Sequence, residues 1–413
     1  MKILLYGINY SPELTGAGKY SGEMAAWMTR QGHEVRVITA PPYYPDWKVW
    51  QGFSSWRYSV TRTDGISVYR CPLYVPAKPT TLKRLLHLAS FSLSSSVVVV
   101  GQVRWKPDVI ILVVPTLFCA LQSLLLAKLS GATSVLHIQD YEVDAMFELG
   151  SSGKGGVRSV GVYLESLVLK AFDRVATISS AMISRARTKG VTAAKLLMLP
   201  NWSEVSRFRN VPRSPELLQR LGVDSTQRVL LYSGNLGDKQ GLELLVEAAE
   251  HLAHRDDLTF LIVGEGASRQ RLMDDVKSRA LSNVVFAPLQ PYADLPALLA
   301  SADCHLIVQK RGVADLVLPS KLTNILAVGG NAVITATADT TLGQLCDEYP
   351  GIAIRVEPES VSALVAGIET CLGMAVPNNI AMGYATDFLD KERILSRFMW
   401  ALGAQGKTSS PLG

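Results

Sequence analysis

Apolar runs of strand length alternate with helix-length stretches along most of this chain, and that alternation narrows the fold more than any other feature. Strands are expected at 2–7, 34–39, 66–70, 108–114, 133–138, 173–178 and 195–199, with helices near 17–31, 80–104, 117–130, 158–171 and 180–189. Strand–helix–strand repeats of this kind build parallel sheets covered by helices. After Pro200-Asn201-Trp202 the pattern lapses to about residue 226, across Pro212 and Pro215. It then restarts, with strands at 228–233, 258–263, 284–287, 304–308 and 332–335. Helices are expected near 241–255, 268–281, 293–301, 320–329, 360–372 and 388–402. The expected fold is therefore α/β: two Rossmann-like doubly wound parallel-sheet domains facing a cleft. Residues 1–205 form the first domain and 206–385 the second. Residues 386–413 form a C-terminal helix, packing back toward the first domain, and a tail. Ligands of such sheets bind beyond the carboxyl ends of strands, at helix N-termini.

The 413 residues carry a formal charge of only +5, which does not by itself point to nucleic acid. The balance is uneven, however. Residues 1–200 hold 22 Lys/Arg against 12 Asp/Glu, and residues 201–413 hold 19 against 24. The surplus concentrates between 48 and 106, where nine basic residues face the single acid Asp64. Trp47, Trp50, Phe53, Trp56, Tyr58 and Trp105 lie in or beside that region. Basic and aromatic residues next to an apolar helix-length run read as an anionic membrane surface rather than a nucleic-acid site, and a solvated loop with core tryptophans is also open. The run itself, Leu85–Val103, has no charge but includes His87 and five serines. A membrane span, an interfacial helix and an ordinary packed helix are all open for it. Val109–Ala127 reads as a buried strand followed by a helix, because Pro115 interrupts it. MKILLYG is too short in its apolar core for a secretory signal and reads as a first strand ending at Gly7. Cys71, Cys119, Cys304, Cys346 and Cys371 are scattered without CxxC spacing, as expected of buried free thiols in a reducing cytosol rather than a metal site.

Several turns carry chemistry. Gly16 and Gly18 follow the first strand and open a helix, which lets backbone approach an anion. Gly234, Asn235, Lys239, Gln240 and Gly241 repeat the device in the second half, as do Gly264, Glu265 and Gly266. Pro319-Ser320-Lys321 puts a hydroxyl, backbone donors and a cation at one helix start, a combination suited to a diphosphate. His137 and Asp140 end a buried strand, where a ring nitrogen and a carboxylate suit a sugar hydroxyl.

The two sheets and their Gly-rich turns resemble the glycosyltransferases of family 4, with the GT-B fold. Within that family, four segments resemble the fucosyltransferases of enterobacterial colanic-acid biosynthesis. These are Tyr6–Gly16, Ala40–Pro45, His137–Asp144 and Pro319–Val333. The resemblance runs over almost the whole chain to about residue 403. It implies a retaining, metal-independent transfer from a nucleotide sugar, GDP-L-fucose, to an undecaprenyl-diphosphate-linked oligosaccharide. It needs no cofactor beyond the donor substrate, and it implies a protein peripheral on the cytoplasmic face of the cell membrane. Asp140, His137 and Lys321 are the expected catalytic residues. Donor binding falls to Gly16, Gly18, Gly234, Asn235, Lys239, Gln240, Gly264, Glu265, Lys310, Arg311, Ser320, Lys321 and Asn324. Leu289 joins them from Pro288–Tyr292, where the base is expected. The chain departs from the family where Arg and Lys are usual, at Asn235 and Gln240, and where paired glutamates are usual, at Leu316 and Asn324. Two other functions remain open on the same fold: a nucleotide-sugar 2-epimerase and a non-catalytic glycolipid-binding subunit.

Overall fold

The computed structural model describes residues 1–13, 16–78, 80–141, 155–237, 240–311 and 320–403. It divides into two compact units, one of Met1–Leu199 with the residues from Phe398 onward, the other of Pro200–Arg397.

The first unit holds one eight-stranded sheet in the order β3-β4-β2-β1-β5-β6-β7-β8. The strands are β1 Lys2–Tyr6, β2 Glu34–Thr39, β3 Ser59–Thr63, β4 Ile66–Arg70, β5 Val109–Val114, β6 Thr133–Ile138, β7 Arg174–Thr177 and β8 Leu196–Met198. Every pairing is parallel except β3 against β4. The parallel sheet is as expected, and the antiparallel edge strand β3 is an addition not expected from the sequence. Ser59–Thr63 is exposed at every residue and has one aliphatic side chain, so no hydrophobic pattern marks it. β5 is buried at all six positions, as its unbroken apolar run requires. Each such side chain is worth roughly 1.5–3 kcal/mol relative to exposure.

The second unit holds a six-stranded parallel sheet, β11-β10-β9-β12-β13-β14. Its strands are β9 Arg228–Ser233, β10 Leu258–Val263, β11 Val284–Ala287, β12 Cys304–Ile307, β13 Ala332–Thr335 and β14 Ile354–Val356. In both sheets the strand order reverses beside the first strand: β1 lies between β2 and β5, and β9 between β10 and β12. A crevice forms at the carboxyl ends of strands where the order reverses, so the loops after β1, β5, β9 and β12 are the places to look for a ligand.

Three helices of the first unit matter below: α1 Gly16–Arg30, α2 Thr81–Gln102 and α3 Ala120–Ser130. The run that left three readings open becomes α2, which lies on the sheet. It buries His87, Leu88, Phe91, Ser95, Val99 and Gln102, a stripe at helical spacing. The Tyr6 hydroxyl of β1 meets Ser95 Oγ of α2 at 2.5 Å and accepts a bond from Gln122 of α3. Gln122 Nε2 also lies 3.2 Å from the Ser92 carbonyl. Burial pushes the Tyr6 hydroxyl far above its ordinary pKa, so it remains a neutral partner. One hydroxyl thus ties two helices to the central strand.

The basic–aromatic region is partly interior, in line with the reading that left core tryptophans open. The Arg70 guanidinium is buried and donates to the Ala40 carbonyl at 2.8 Å and the Ser11 carbonyl at 2.6 Å. Trp105 is buried, donates to Glu34 Oε1 at 2.7 Å and lies beneath the Arg36 cation. The rings of Tyr43, Trp47 and His87 meet at tilted to edge-on angles. All five cysteines are buried and free.

Removing the Tyr6 hydroxyl by Tyr6→Phe leaves Gln122 and Ser95 short of a buried partner. The expected loss is about 1–3 kcal/mol of unfolding free energy, read by urea denaturation.

Candidate functional site

In the second unit, the turn after β9 and the turn after β10 occupy one another's space. Gly234 N donates to the Val263 carbonyl at 3.0 Å, and Leu236 N to the Glu265 carbonyl at 2.9 Å. Ser268 N returns a bond to the Leu236 carbonyl at 2.9 Å. A side chain on Gly264 would strike the Gly234 carbonyl, and one on Gly266 would strike the Leu236 backbone. These glycines were expected to admit a ligand. They instead admit a neighbouring turn, and Gly264 and Gly266 are corrected to a structural role. The consequence is functional, because it fixes the loop at the switch point.

Basic groups from other segments stand beside that loop. Lys321 Nζ stands 4.4 Å from the centre of the Tyr232 ring, and its Cδ comes 3.8 Å from where a Gly234 side chain would start. The Tyr232 hydroxyl donates to the Asn235 carbonyl at 2.8 Å, and burial raises its pKa so that it stays protonated. A cation over an aromatic face gains about 0.5–2 kcal/mol, which helps hold Lys321 at the helix start. Lys321 is the second residue of the helix Ser320–Val328, whose first turn has no acidic residue. Its charge and the helix N-terminus there favour an anion. Lys310, after β12, is exposed and lays its stem against Gly241, with Cγ 2.9 Å from the position of a Gly241 Cβ. Gln240 is half-buried, and its Oε1 has no hydrogen-bond partner among the described residues. Asn235 is exposed. The structure therefore brings Gly234, Asn235, Gln240, Lys310 and Lys321 to the β9–β12 switch point.

The other expected residues fall elsewhere. Arg311 is exposed and forms an ion pair with Glu357. Asn324 is buried, and its Oδ1 accepts from Ser203 Oγ at 2.8 Å, a packing contact rather than a donor contact. Glu265 is exposed, with a carboxylate oxygen 3.7 Å from Arg269 Nε, and its backbone carbonyl serves the turn described above. Leu289 is exposed. Lys239 lies outside the described residues, and Ser320 heads its helix.

In the first unit the turn after β1 is held by a residue the sequence did not single out. Glu13 is buried, and its Oε1 accepts from Tyr43 N at 2.9 Å and Tyr44 N at 3.0 Å. Its Oε2 accepts from Asn9 Nδ2 at 2.9 Å. Gly18 is glycine because a side chain there would strike Glu13, its Cβ falling 2.7 Å from that of Glu13. Gly18 is thus corrected from ligand approach to support of Glu13. Gly16 differs: it is exposed, has φ +56°, and nothing lies within 4 Å of a notional Cβ. Arg70 holds the same turn through the Ser11 carbonyl. A lone Glu near a proline and a lone Arg at a strand end carry no sequence signal. Only the meeting of β1, β2 and β4 loops assigns them.

His137 is buried rather than open to a ligand, which corrects its placement. Its Nε2 lies 3.2 Å from Gln139 Nε2, and its Nδ1 has no hydrogen-bond partner among the described residues. Burial lowers its pKa to about 4, so the ring is neutral at physiological pH and acts as a hydrogen-bonding group, not a cation. Asp140, three residues on, is exposed. Among the described residues no three His, Cys, Asp or Glu side chains gather as a metal site.

Two family models match the chain. The Glycosyl transferase 4-like domain covers residues 15–202, and the Glycosyl transferases group 1 model covers 214–379. The chain is 58% identical over 97% of its length, and 99% of the relative's, to an Escherichia coli (strain K12) protein described as a colanic acid biosynthesis glycosyl transferase, WcaI. Among solved structures, sucrose-phosphate synthase from Thermosynechococcus elongatus superimposes with a TM-score of 0.72 at 15% identity, covering 99% of this chain and all of that one. Anabaena HepE in complex with UDP gives 0.68 at 17% identity, covering 98% and 100%. The chain belongs to the family 4 glycosyltransferases and has their two-sheet GT-B fold.

Two outcomes test this geometry. Gly266→Ala forces a methyl group into the Leu236 backbone and is expected to cost at least about 2 kcal/mol in urea denaturation. Burial, its largest cause, holds the Glu13 pKa above the ordinary 4.5 despite three hydrogen bonds. A raised carboxyl pKa stabilises the fold below the ordinary value and loses that contribution as pH rises through the raised one. The stability difference between wild type and Glu13→Gln should therefore fall as pH rises above the ordinary value. Unfolding measured between about pH 4 and 8 checks the sign.

Proposed function

We propose that this glycosyltransferase acts in colanic acid biosynthesis, moving L-fucose from GDP-L-fucose to a hydroxyl of an undecaprenyl-diphosphate-linked oligosaccharide. The extent and identity of the match to the Escherichia coli relative support the pathway. The observation that carries the donor side is the placement of Lys321, over Tyr232 and beside Gly234, at the switch point of the second sheet. A nucleoside diphosphate suits that place, because its charge meets one fixed ammonium, an exposed Lys310 and a helix start. The Arg and Lys common elsewhere in the family are replaced by Asn235 and Gln240, so Lys321 bears more of the load here.

The transfer retains configuration and uses no metal. The bond from the sugar anomeric carbon to the diphosphate oxygen breaks as the acceptor oxygen bonds to that carbon from the same face. The acceptor proton passes to the departing phosphate oxygen, so no separate base is needed. Lys321 and the backbone donors offset the negative charge that grows on the leaving group. Exposed Asp140 orients a sugar hydroxyl. A lipid-linked acceptor places the enzyme on the cytoplasmic face of the membrane.

Lys321→Ala should lower kcat by at least about a hundredfold, the scale of losing one charge-stabilising donor. Its unfolding midpoint should stay near wild type, since the side chain is only half-buried. The assay is a panel of GDP-fucose, GDP-mannose and UDP-sugars with membrane extract as acceptor. Wild-type turnover in the variant refutes the role of Lys321, and an epimerised donor formed without acceptor refutes the transferase reading.

A further inference from the structure

The sheet-facing stripe of α2 leaves an opposite face that is exposed among the described residues. Leu86, Leu93, Val97 and Val100 repeat along it at helical spacing and are exposed, Leu93 to 75%. α3 packs beside α2, through Ser92 Oγ donating to the Phe118 carbonyl at 2.8 Å and Gln122 to the Ser92 carbonyl. It exposes Leu121, Leu125 and Leu129. The β3–β4 hairpin joins this face from the other side, where the Tyr58 hydroxyl donates to the Ser94 carbonyl of α2 at 2.9 Å. The segment entering that hairpin exposes Trp56 to 83%. Single exposed leucines need no explanation, but a contiguous apolar face on two packed helices does.

Charge selects the occupant. α2 and α3 contain no Asp or Glu, and Asp64 is the one acid from 47 to 107. Exposed cations stand where the apolar stripe ends: Lys78 and Lys83 at the start of α2, Arg104 and Lys106 beyond its end. Aliphatic side chains in the middle, cations at the margins and an exposed Trp and Tyr at the edge match a bilayer leaflet with anionic headgroups. A second copy of this chain would bring the same cations against themselves.

We propose that the exposed face of α2 and α3, with the β3–β4 hairpin, docks onto an anionic lipid leaflet by inserting its aliphatic side chains among the acyl chains. The proposal rests on the reading of a membrane-borne acceptor and deepens it. Attachment is then mainly hydrophobic, and charge adds to it, which differs from the salt-sensitive contact that composition alone favours.

The test is flotation of the full chain with phosphatidylcholine vesicles containing phosphatidylglycerol, in low salt and in about 1 M NaCl, where charge interactions are screened beyond about 3 Å. Wild type should float in both. The double variant Leu93→Ser/Val97→Ser should bind on the order of tenfold less at both salts, since apolar area inserted drives the contact. Lys78→Glu/Lys83→Glu should weaken binding only at low salt. Circular dichroism confirms the fold of each variant, and turnover on a detergent-solubilised acceptor should survive the Leu93/Val97 change. Equal flotation of wild type and Leu93→Ser/Val97→Ser overturns the proposal, as does a dimer in light scattering that the same variant dissolves without vesicle binding. Turnover with no flotation sinks the docking face and leaves the reaction standing. Flotation that depends on Leu93 and Val97 but with no sugar transfer does the reverse.

Discussion

The interlocked glycine turns of the second sheet hold the β9–β12 switch point in place. A parallel strand buried on both faces ends abruptly, and the backbone groups of its following loop need partners. After β9 and β10 each loop supplies the other's partners, and only glycine at 264 and 266 lets them approach closely enough. The loop from Gly234 to Leu236 therefore has little freedom. Tyr232 stands beneath Lys321, and a cation beside a fixed backbone can meet a charged ligand without reorganising. In the first sheet Glu13 and Arg70 serve the same end by another means, clamping the β1 turn with a buried carboxylate and guanidinium.

The two sheets thus differ in how they stiffen their carboxyl edges. One uses the absence of side chains, the other uses buried charge. The second device is the more sensitive to pH, because burial disfavours the ionised carboxylate of Glu13 while three donors favour it. Neutral His137, at the end of β6 in the same sheet, is held uncharged by burial over the physiological range.

α2 shows how one segment answers two demands. Its sequence mixes polar serines with apolar valines. Ser95 is buried because the Tyr6 hydroxyl meets it, and Val97 is exposed because it lies on the opposite side of the helix. The buried stripe fixes the helix to the sheet, which frees the other stripe for a partner outside the chain.

The strands were largely legible in the sequence because a doubly covered strand must be apolar throughout, as in Val109–Val114 and Leu258–Val263. The restart of the pattern after residue 226 likewise marked a second sheet. The position of Lys321 in a helix's first turn was legible, and a cation there opposes the helix dipole. Ser59–Thr63 was not, since an exposed edge strand needs no hydrophobic period. Nor were the roles of Gly18, Gly264, Asn324 and Arg311 legible. A glycine reads the same whether a ligand or a neighbouring backbone takes the place of its side chain. A polar residue near a helix start reads the same whether it faces a substrate or Ser203. Local sequence carries burial and periodicity, which are properties of one segment. Which loop meets which is set by strand order, and only the folded sheet, with β1 beside β5 and β9 beside β12, decided that.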